Sequence, residues 1–397
     1  MRHLKHTVTT VLATAVAAAL AASPAAAQDS IRIGQLTSLT GTNAVQGQDM
    51  QRGMELAVQR VNQGYEVPMD GGETRQLGPG LLGGKQVEVI VENTESRPAS
   101  AMDAVRKLVN VDDVPVVVGE FSSGISVPTG QFTNQNRTVQ ISVGSTSPKL
   151  REIGSYMFNA IGLDNLMGAA LTEFAVKDSG AKKFASITPN NPFGVGLEVN
   201  ACKTLKQEFD GACVSTVRYE LNKSDYRAEI KQLFASDPQA GFYTAYGTES
   251  RLIFRQMHEM GMAPPKGWYA DYMTMWSNEV KDIPQVAEGV KGLVVGVAGD
   301  FYQTEYAQPY EQAFGEAPLT AFGGYAYDAA MMALLAIDEA GSTEPKQIAE
   351  ALHEVAQDYK GVTGDKAVDE NGMQKRESYQ RKIYTDGALQ DYTVEGS

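Results

Sequence analysis

The chain has 397 residues, 43% of them hydrophobic, and a formal net charge of −14 at pH 7. An acidic surface repels nucleic acid and anionic lipid, so the charge argues against both as partners. Two domains are expected, because a single hydrophobic core stops growing at about 250–300 residues.

Residues 1–27 have the features of a secretory signal peptide. Arg2 and Lys5 precede an apolar, alanine-rich run over 8–22, and small residues lead up to Ala27. The run is too short for a permanent anchor, which needs about 20 apolar residues, so we predict that the segment is removed on export. No cysteine lies near the predicted cleavage site. We therefore expect a protein that is free in the periplasm and carries no lipid anchor.

Strand-like runs alternate with amphipathic helices along the rest of the chain, which is typical of parallel α/β architecture. The glycine-rich stretch 64–84 interrupts this alternation and is predicted to be a surface insertion. Within it, 78–83 matches a dinucleotide-binding fingerprint, but we expect a polar loop before it and a strand, not a helix, after it, so we reject that interpretation. The predicted strands are Ile31–Leu36, Val87–Val91, Val114–Val118, Val139–Val143, Phe184–Thr188, Cys213–Arg218, Gly241–Ala245 and Trp268–Asp271.

Hydroxyl side chains follow two neighbouring predicted strands. Ser122 and Ser123 come after one, and Ser145 and Thr146 come after the next. Ligands of parallel sheets bind outside the carboxyl ends of the strands, where the free N–H groups of a helix start also attract anions. The pattern predicts a clamp for a small anion, with plain helix capping as the alternative at each junction.

Cys202 and Cys213 are the two cysteines of the chain. Cysteines of an exported protein can form a disulfide, and here the strand that starts at Cys213 must fold back on the helix that carries Cys202. The sequence leaves open both a disulfide and a pair of buried free thiols.

The motifs of common hydrolases and metalloenzymes are absent. Beyond the predicted leader the histidines are His258 and His353, neither in a metal-ligand spacing, and no G-x-S-x-G, P-loop or C-x-x-C occurs. A serine nucleophile needs a general base, and no histidine is near either hydroxyl pair in the sequence. We predict a binding protein without catalytic residue, cofactor or metal. An exported serine hydrolase using Ser123 or Ser145 is the alternative from another class.

The order and spacing of several motifs point to a family. They are I-R-I-G-Q-L-T-S-L-T-G, V-V-G-E-F-S-S-G, S-T-S-P-K-L, P-N-N-P-F-G-V-G-L, Y-T-A-Y-G-T-E-S-R-L-I-F-R-Q-M and A-F-G-G-Y-A-Y-D-A-A. Together they resemble the type I periplasmic solute-binding proteins of ABC importers, in particular the leucine/isoleucine/valine-binding group. The resemblance covers nearly all of the chain after the predicted leader.

This resemblance implies two α/β lobes, each a parallel sheet flanked by helices, with the ligand between them. Three hinge crossings are expected to join discontinuous lobes: residues 28–161 with 299–372, and 162–298 with 373–397. The chain is expected to act as a monomer that hands its ligand to a permease in the inner membrane.

The resemblance also implies the residues of the ligand site. A ligand carboxylate would be held by Ser123, Ser145 and Thr146, and a ligand ammonium group by Asp271. If the alignment slips by one residue, Tyr272 takes this position and cannot neutralise an ammonium. The other expected ligand contacts are Tyr246, Phe193, Phe322 and Gln46.

The ligand implied by this assignment is a small amino acid, branched-chain-like or related. Gln46 replaces an aromatic residue of the family, which predicts a more polar side-chain pocket. The alternative is an aromatic or short-chain carboxylate, for which the hydroxyl clamp suffices and Asp271 has no partner. The sequence leaves open the ligand's identity and whether a sensor also receives it.

Overall fold

A computed structural model describes residues 30–296 and 299–394. The predicted signal peptide, 1–27, lies outside the described residues. The described residues form two large sheets, one of five strands and one of seven. No helix within the described ranges is long and apolar enough to span a bilayer.

The first part of the chain builds the five-stranded sheet, which has the strand order β4-β1-β5-β6-β7 with every pair parallel. Helices cover both of its faces, so its strands are runs of apolar, largely β-branched residues such as V-V-V over 116–118, all buried. The elements are β1 Ile31–Thr37, α1 Ala44–Gln63, β2 Tyr65–Pro68, β3 Thr74–Leu77, β4 Val87–Asn93, α2 Pro98–Asn110, β5 Val116–Val118, α3 Ser123–Gln135, β6 Val139–Ser142 and β7 Met157–Asn159.

The next part of the chain builds most of the seven-stranded sheet in repeated strand–helix units. Its central strands pair in parallel, as the alternation of strands and helices predicts. The elements are α4 Asp164–Ser179, β8 Lys183–Pro189, α5 Pro192–Phe209, β9 Ala212–Tyr219, α6 Arg227–Phe234, β10 Ala240–Tyr243, α7 Gly247–Glu259, β11 Trp268–Ala270, α8 Tyr272–Met275, α9 Asn278–Lys281, α10 Pro284–Ala287 and β12 Lys291–Val295.

The last part returns to the first sheet and ends on the second. The elements are α11 Asp300–Tyr302, α12 Gln308–Phe314, α13 Phe322–Ala340, α14 Pro345–Asp358, β13 Lys360–Gly361, β14 Gly364–Asp365, β15 Tyr379–Thr385 and β16 Ala388–Asp391. Strands β15 and β16 complete the order β16-β15-β12-β11-β10-β8-β9 and are antiparallel to their neighbours. We call the parts built on the five-stranded and the seven-stranded sheets the first and second lobes.

Helix α13 is buried along most of its length and packs against α1 in the first lobe. A Cβ on Gly53 of α1 would overlap the carbonyl oxygen of Gly323, so only glycine allows the two backbones to come this close. This contact fixes the start of α13, and Phe322 there lies against Phe121, which follows the central strand β5.

The order of elements takes the chain between the two lobes three times: after β7, after β12 and before β15. The Glu377 carboxyl joins the first and third passages, because it accepts hydrogen bonds from Gly162 N at 2.8 Å and Tyr325 OH at 3.1 Å. The exact lobe boundaries, 28–161 with 299–372 and 162–298 with 373–397, stay a prediction.

The predicted surface insertion, 64–84, contains the antiparallel hairpin of β2 and β3. Three of its apolar residues, Val67, Leu77 and Leu81, are buried and belong to the main hydrophobic core. The stretch therefore adds to the core of the first lobe as well as to its surface.

The two cysteines form a disulfide in the structure. Cys202 on α5 and Cys213 in β9 have Cα atoms 5.6 Å apart. Helix α5 ends at Asp210 in a left-handed conformation, which turns the chain back so that β9 runs beside the helix it has just left. The sequence left open whether the cysteines pair, and the tight turn at Asp210 explains why they do.

Candidate ligand-binding cleft

Two adjoining cavities lie between the lobes. The larger has a volume of about 720 Å³, and the smaller, of about 10 Å³, has room for no more than a single water. Ser122, Tyr246 and Met273 line both, so the two cavities are direct neighbours. The residues lining the smaller cavity are Phe121, Ser122, Ser123, Gly144, Phe193, Tyr246, Tyr272 and Met273.

One of the predicted carboxylate-binding residues, Ser123, lines the smaller cavity, and its hydroxyl is hydrogen-bonded to the backbone of another, Thr146. Ser123 Oγ accepts hydrogen bonds from the backbone N–H groups of Thr146 and Ser147, both at 3.2 Å, and so keeps its own proton for another acceptor. Thr146 Oγ1 is buried and has no hydrogen-bond partner. A carboxylate between the lobes would supply the missing acceptor for both hydroxyls.

Ser145 lies in the same turn, but its hydroxyl is hydrogen-bonded to other parts of the protein. Its Oγ lies 2.6 Å from Ser126 Oγ and within 3.3 Å and 3.2 Å of the carbonyl oxygens of Glu120 and Phe121. These contacts hold the turn after β6 against the start of α3. The structure therefore gives no support to the predicted carboxylate contact of Ser145 and assigns its hydroxyl to holding the turn.

Asp271 caps α8 with one carboxylate oxygen and leaves the other free. Its Oδ1 accepts hydrogen bonds from Met273 N at 2.6 Å and Thr274 N at 3.2 Å, whereas Oδ2 is buried without a partner. Burial raises the pKa of Asp271 to about 7, against the lowering effect of the capping bonds and of the nearby Thr244 hydroxyl, which makes no hydrogen bond of good geometry to Oδ2. The two capping hydrogen bonds to Oδ1 hold the carboxyl group in one orientation, so the position of Oδ2 is also fixed.

Tyr272, the position that a one-residue slip would choose, also belongs to the site. Tyr272 is the first residue of α8 and is 2% exposed, and its side chain lines the smaller cavity. The structure therefore places the Tyr272 ring in the lining of the cleft, whereas the Asp271 carboxylate is buried directly before it in the chain.

A second carboxylate, Asp164, lies in the same region and was not predicted from the sequence. It is the first residue of α4, it is fully buried, and neither of its oxygens has a hydrogen-bond partner. Burial raises its pKa well above the ordinary value, and the charge of Asp271 adds to this. The Thr146 hydroxyl is near enough to oppose the shift but makes no hydrogen bond of good geometry.

Aromatic rings form a continuous wall that joins the two lobes. Phe322 from the first lobe lies 5.9 Å from Trp276 and 6.2 Å from Tyr272 of the second, measured between ring centroids. Edge-on and tilted contacts at such distances are favourable beyond the area they bury. The members of this wall are Phe121, Phe193, Tyr246, Tyr272, Trp276 and Phe322.

The mouth of the larger cavity is more polar. Gln46 on α1 is half-buried and lines it, and Tyr246 OH accepts a hydrogen bond from Asn191 Nδ2 at 3.1 Å. Among the described residues, no group of three or more histidine, cysteine, aspartate or glutamate side chains is placed to hold a metal ion. The cleft therefore offers hydrogen bonds, rings and carboxylates to a ligand.

Of the residues expected from the sequence, the structure brings most to this cleft. Phe193, Phe322, Tyr246 and Gln46 line one or both cavities. Sequence reasoning missed Asp164 and Phe121. Asp164 looks like an ordinary acidic residue in the first turn of a helix, so the sequence holds no signal that sets it apart. Phe121 directly precedes the predicted hydroxyl pair and was within reach of the same argument.

The comparisons with known proteins agree with this architecture. The family model described as periplasmic binding protein matches residues 30–388. The chain is 26% identical over 383 residues to Leu/Ile/Val-binding protein homolog 1 of Brucella abortus (strain 2308), covering 94% of this chain and 95% of that protein.

Two solved structures share the fold. A leucine-binding protein from Thermotoga maritima MSB8 superimposes with a TM-score of 0.77 at 23% identity, covering 92% of this chain and 98% of that one. A solute-binding protein from R. palustris in complex with benzoate gives a TM-score of 0.74 at 15% identity, covering 91% and 95%. The chain therefore belongs to the periplasmic binding protein family and is a solute-binding protein rather than an enzyme, which sets aside the serine hydrolase.

Proposed function

We propose that this chain is the periplasmic binding component of an ABC transporter, which binds a small amino acid between its lobes and delivers it to a membrane permease. The names of the relatives, which are binding proteins for leucine, isoleucine and valine, support the amino-acid class. The observation that carries the choice of an amino acid is the buried, unpartnered Oδ2 of Asp271.

In this proposal the two charged ends of the ligand meet opposite groups. Its carboxylate accepts hydrogen bonds from Ser123 and Thr146, and its ammonium donates to Asp271. Burying a carboxylate without a partner is unfavourable, and an ammonium removes that penalty through a charge-assisted hydrogen bond. The aromatic wall, with Phe193 and Phe322, packs on the ligand side chain.

A second candidate is an aromatic or short-chain carboxylate. It is favoured by the rings around the smaller cavity and by the structural similarity to a benzoate complex. With this ligand Asp271 stays protonated and contributes no counter-charge. The two candidates therefore differ in one group, the ligand ammonium.

We assign the parting and closing of the lobes around the ligand to the three passages between them. We further propose that residues 1–27 are removed on export and that the protein is free in the periplasm. The intact mass of protein from the periplasmic fraction tests this, since a retained leader or an attached lipid adds mass.

A thermal-shift screen tests the ligand class. The twenty common L-amino acids and a set of aromatic acids that includes benzoate are added to the purified protein. We expect at least one amino acid to raise the melting temperature, with calorimetry then giving its affinity. Stabilisation by benzoate-like acids, with no response to any amino acid, contradicts the proposal and supports the second candidate.

A further inference from the structure

Three exposed apolar side chains stand among the polar residues at the mouth of the larger cavity. Val45 at the start of α1 and Leu319 before α13 belong to the first lobe, and Leu221 after β9 belongs to the second. All three are exposed and line this one cavity. We call them the rim residues. They face the same space from opposite lobes.

Their grouping at one opening is unusual, because single exposed apolar residues are normally scattered over a protein surface. In the part of the chain that the structure describes, the exposed large apolar side chains are the rim residues, Val111 and Val199. Val111 follows α2 and Val199 lies on α5, and neither lines either of the two cavities. Most of the exposed apolar side chains are thus concentrated where the lobes face each other.

In the first lobe a buried carboxylate holds the rim residues in place. Asp49 on α1 accepts hydrogen bonds from Leu319 N at 3.2 Å and Thr320 N at 2.9 Å. Val45 precedes Asp49 on the same helix by about one turn. The segment that carries Leu319 is therefore tied to the helix that carries Val45.

In the second lobe the turn that carries Leu221 is held in a similar way. Glu249 of α7 accepts a hydrogen bond from Asn222 N at 3.1 Å, and Tyr226 OH donates to Glu220 O at 3.1 Å. Asn222 has a φ of 63°, in the left-handed region typical of turns. Turns favour polar residues and glycine, so an exposed leucine fixed in this one needs a cause.

The larger cavity leaves room for the lobes to come closer. Its volume is about 720 Å³, which at about 30 Å³ per water in the liquid is space for roughly twenty-four waters, far more than a small amino acid displaces. The lobes already touch where the rings of Phe322 and Trp276 meet. A movement that shrinks the rest of the cavity shortens the distance between its two sides and takes the rim residues out of water.

Building on the lobe closure of the proposed function, we infer that the rim residues form an apolar contact between the lobes in the ligand-bound protein. Val45 and Leu319 of the first lobe pack against Leu221 of the second, and the ligand is enclosed behind them. Burial of apolar surface is favourable in proportion to its area. The contact therefore stabilises the closed form without touching the ligand, and raises the affinity for every ligand by the same factor.

Paired cysteines test the contact without any ligand. A disulfide requires Cα atoms within about 7 Å and traps even a minor closed population, and the two natural cysteines are already paired. Under mild oxidation of dilute protein, the pair Val45→Cys and Leu221→Cys should lose its free thiols and stay monomeric. The control pair, Val111→Cys and Leu221→Cys, should keep them. Free thiols in both pairs overturn the inference.

Calorimetry measures what the contact contributes to binding. The variants are Val45→Ser, Leu221→Ser and the double variant, with Val199→Ser as the matched control because Val199 is also a helical valine, 49% exposed against 54% for Val45. The probe is the tightest binder among the twenty common L-amino acids and the aromatic acids of the thermal-shift screen. Each single rim substitution should weaken binding about threefold to tenfold, and the control should leave it unchanged.

The double variant distinguishes a contact between the lobes from other roles. Its loss of affinity should be smaller than the product of the two single losses, because each residue has already lost its partner. Losses that multiply, or that differ between two ligands of different size, assign the residues to the ligand and overturn the inference. Unchanged affinity overturns it too and leaves the rim residues to an external partner such as the permease. An aromatic acid serves equally well as the probe, so failure of the amino-acid class is a separate result.

Discussion

Buried carboxylates occupy two regions of this molecule and differ in how far the fold satisfies them. In the first lobe, Asp49 accepts five hydrogen bonds and Asp328 accepts four. In the cleft, Asp164 accepts none and Asp271 keeps one oxygen free. A buried carboxylate whose donors all come from the fold stabilises that fold. One whose donors are missing indicates a partner from outside the chain.

The largest effect is expected where the fold satisfies the carboxylate. Asp328→Ala leaves the donors Tyr359 OH, Val362 N and Thr363 N without an acceptor and the buried Lys366, 3.7 Å away, without its counter-charge. Breaking such a buried pair costs about 3–5 kcal/mol of unfolding free energy. Chemical denaturation measures this loss. A loss below about 1 kcal/mol would remove the contrast between the two regions.

The cleft carboxylate should behave in the opposite way. Asp271→Asn keeps an oxygen for the cap of α8 but removes the counter-charge for the ammonium, so amino-acid binding should weaken by at least about 2 kcal/mol. The unliganded variant should be no less stable than wild type at pH 8, because a buried charge has been removed. Calorimetry and thermal unfolding measure the two effects. An unchanged affinity of Asp271→Asn for its ligand would indicate a carboxylate that carries no ammonium group.

The raised pKa of Asp271 gives both binding and stability a pH dependence. An ammonium needs the ionised form, so affinity should fall by up to about tenfold for each pH unit below the pKa of about 7. Folding takes up a proton when the folded pKa is raised, so the unliganded protein should lose stability as the pH rises from about 4 to 7. Calorimetry and melting temperatures between pH 5 and 8 check the two trends. Flat profiles in wild type would contradict them, and Asp271→Asn is the control.

The smallest effects are expected for two neighbouring hydroxyl residues, Ser145 and Thr146, whose substitutions should have different consequences. Thr146→Val should weaken the binding of the amino acid by about 1.5–3 kcal/mol, because it removes a donor to a charged group. Ser145→Ala should leave affinity unchanged and lower stability by about 1 kcal/mol, because its hydroxyl bonds to the start of α3 and the segment before it. Calorimetry on both variants measures this. A loss of affinity in Ser145→Ala would restore the carboxylate contact that the sequence predicts for that residue.

Much of the fold could be predicted from the sequence because apolar, β-branched runs bounded by turn residues are local signals. The run at 116–118 is a strand, and 31–36 and 87–91 lie within longer ones. The predicted strand 268–271 is one residue too long, since Asp271 caps the next helix instead of ending the strand. A capping aspartate and a strand end are hard to tell apart without the hydrogen bonds.

The site was less accessible because its chemistry is assembled from distant parts of the chain. Asp164 and Asp271 belong to one electrostatic cluster although they are far apart in the sequence. The direction of a side chain in a turn also has no periodic signal in the sequence. Nothing therefore distinguished Ser145, whose hydroxyl is hydrogen-bonded to the protein, from Thr146, whose hydroxyl has no partner. The resemblance to a family supplied Asp271 by position, but Asp164 lies outside the motifs that carry the resemblance and had no such support.

The contact of Trp276 with Phe322 has a practical consequence. The chain has two tryptophans; Trp268 is buried against Tyr243 and Phe234 inside the second lobe, whereas Trp276 touches a ring of the other lobe. Parting of the lobes removes that neighbour from Trp276 and leaves Trp268 unaffected. The intrinsic fluorescence of the unlabelled protein should therefore report opening and closing, which makes the chain a reagentless optical sensor for its own ligand.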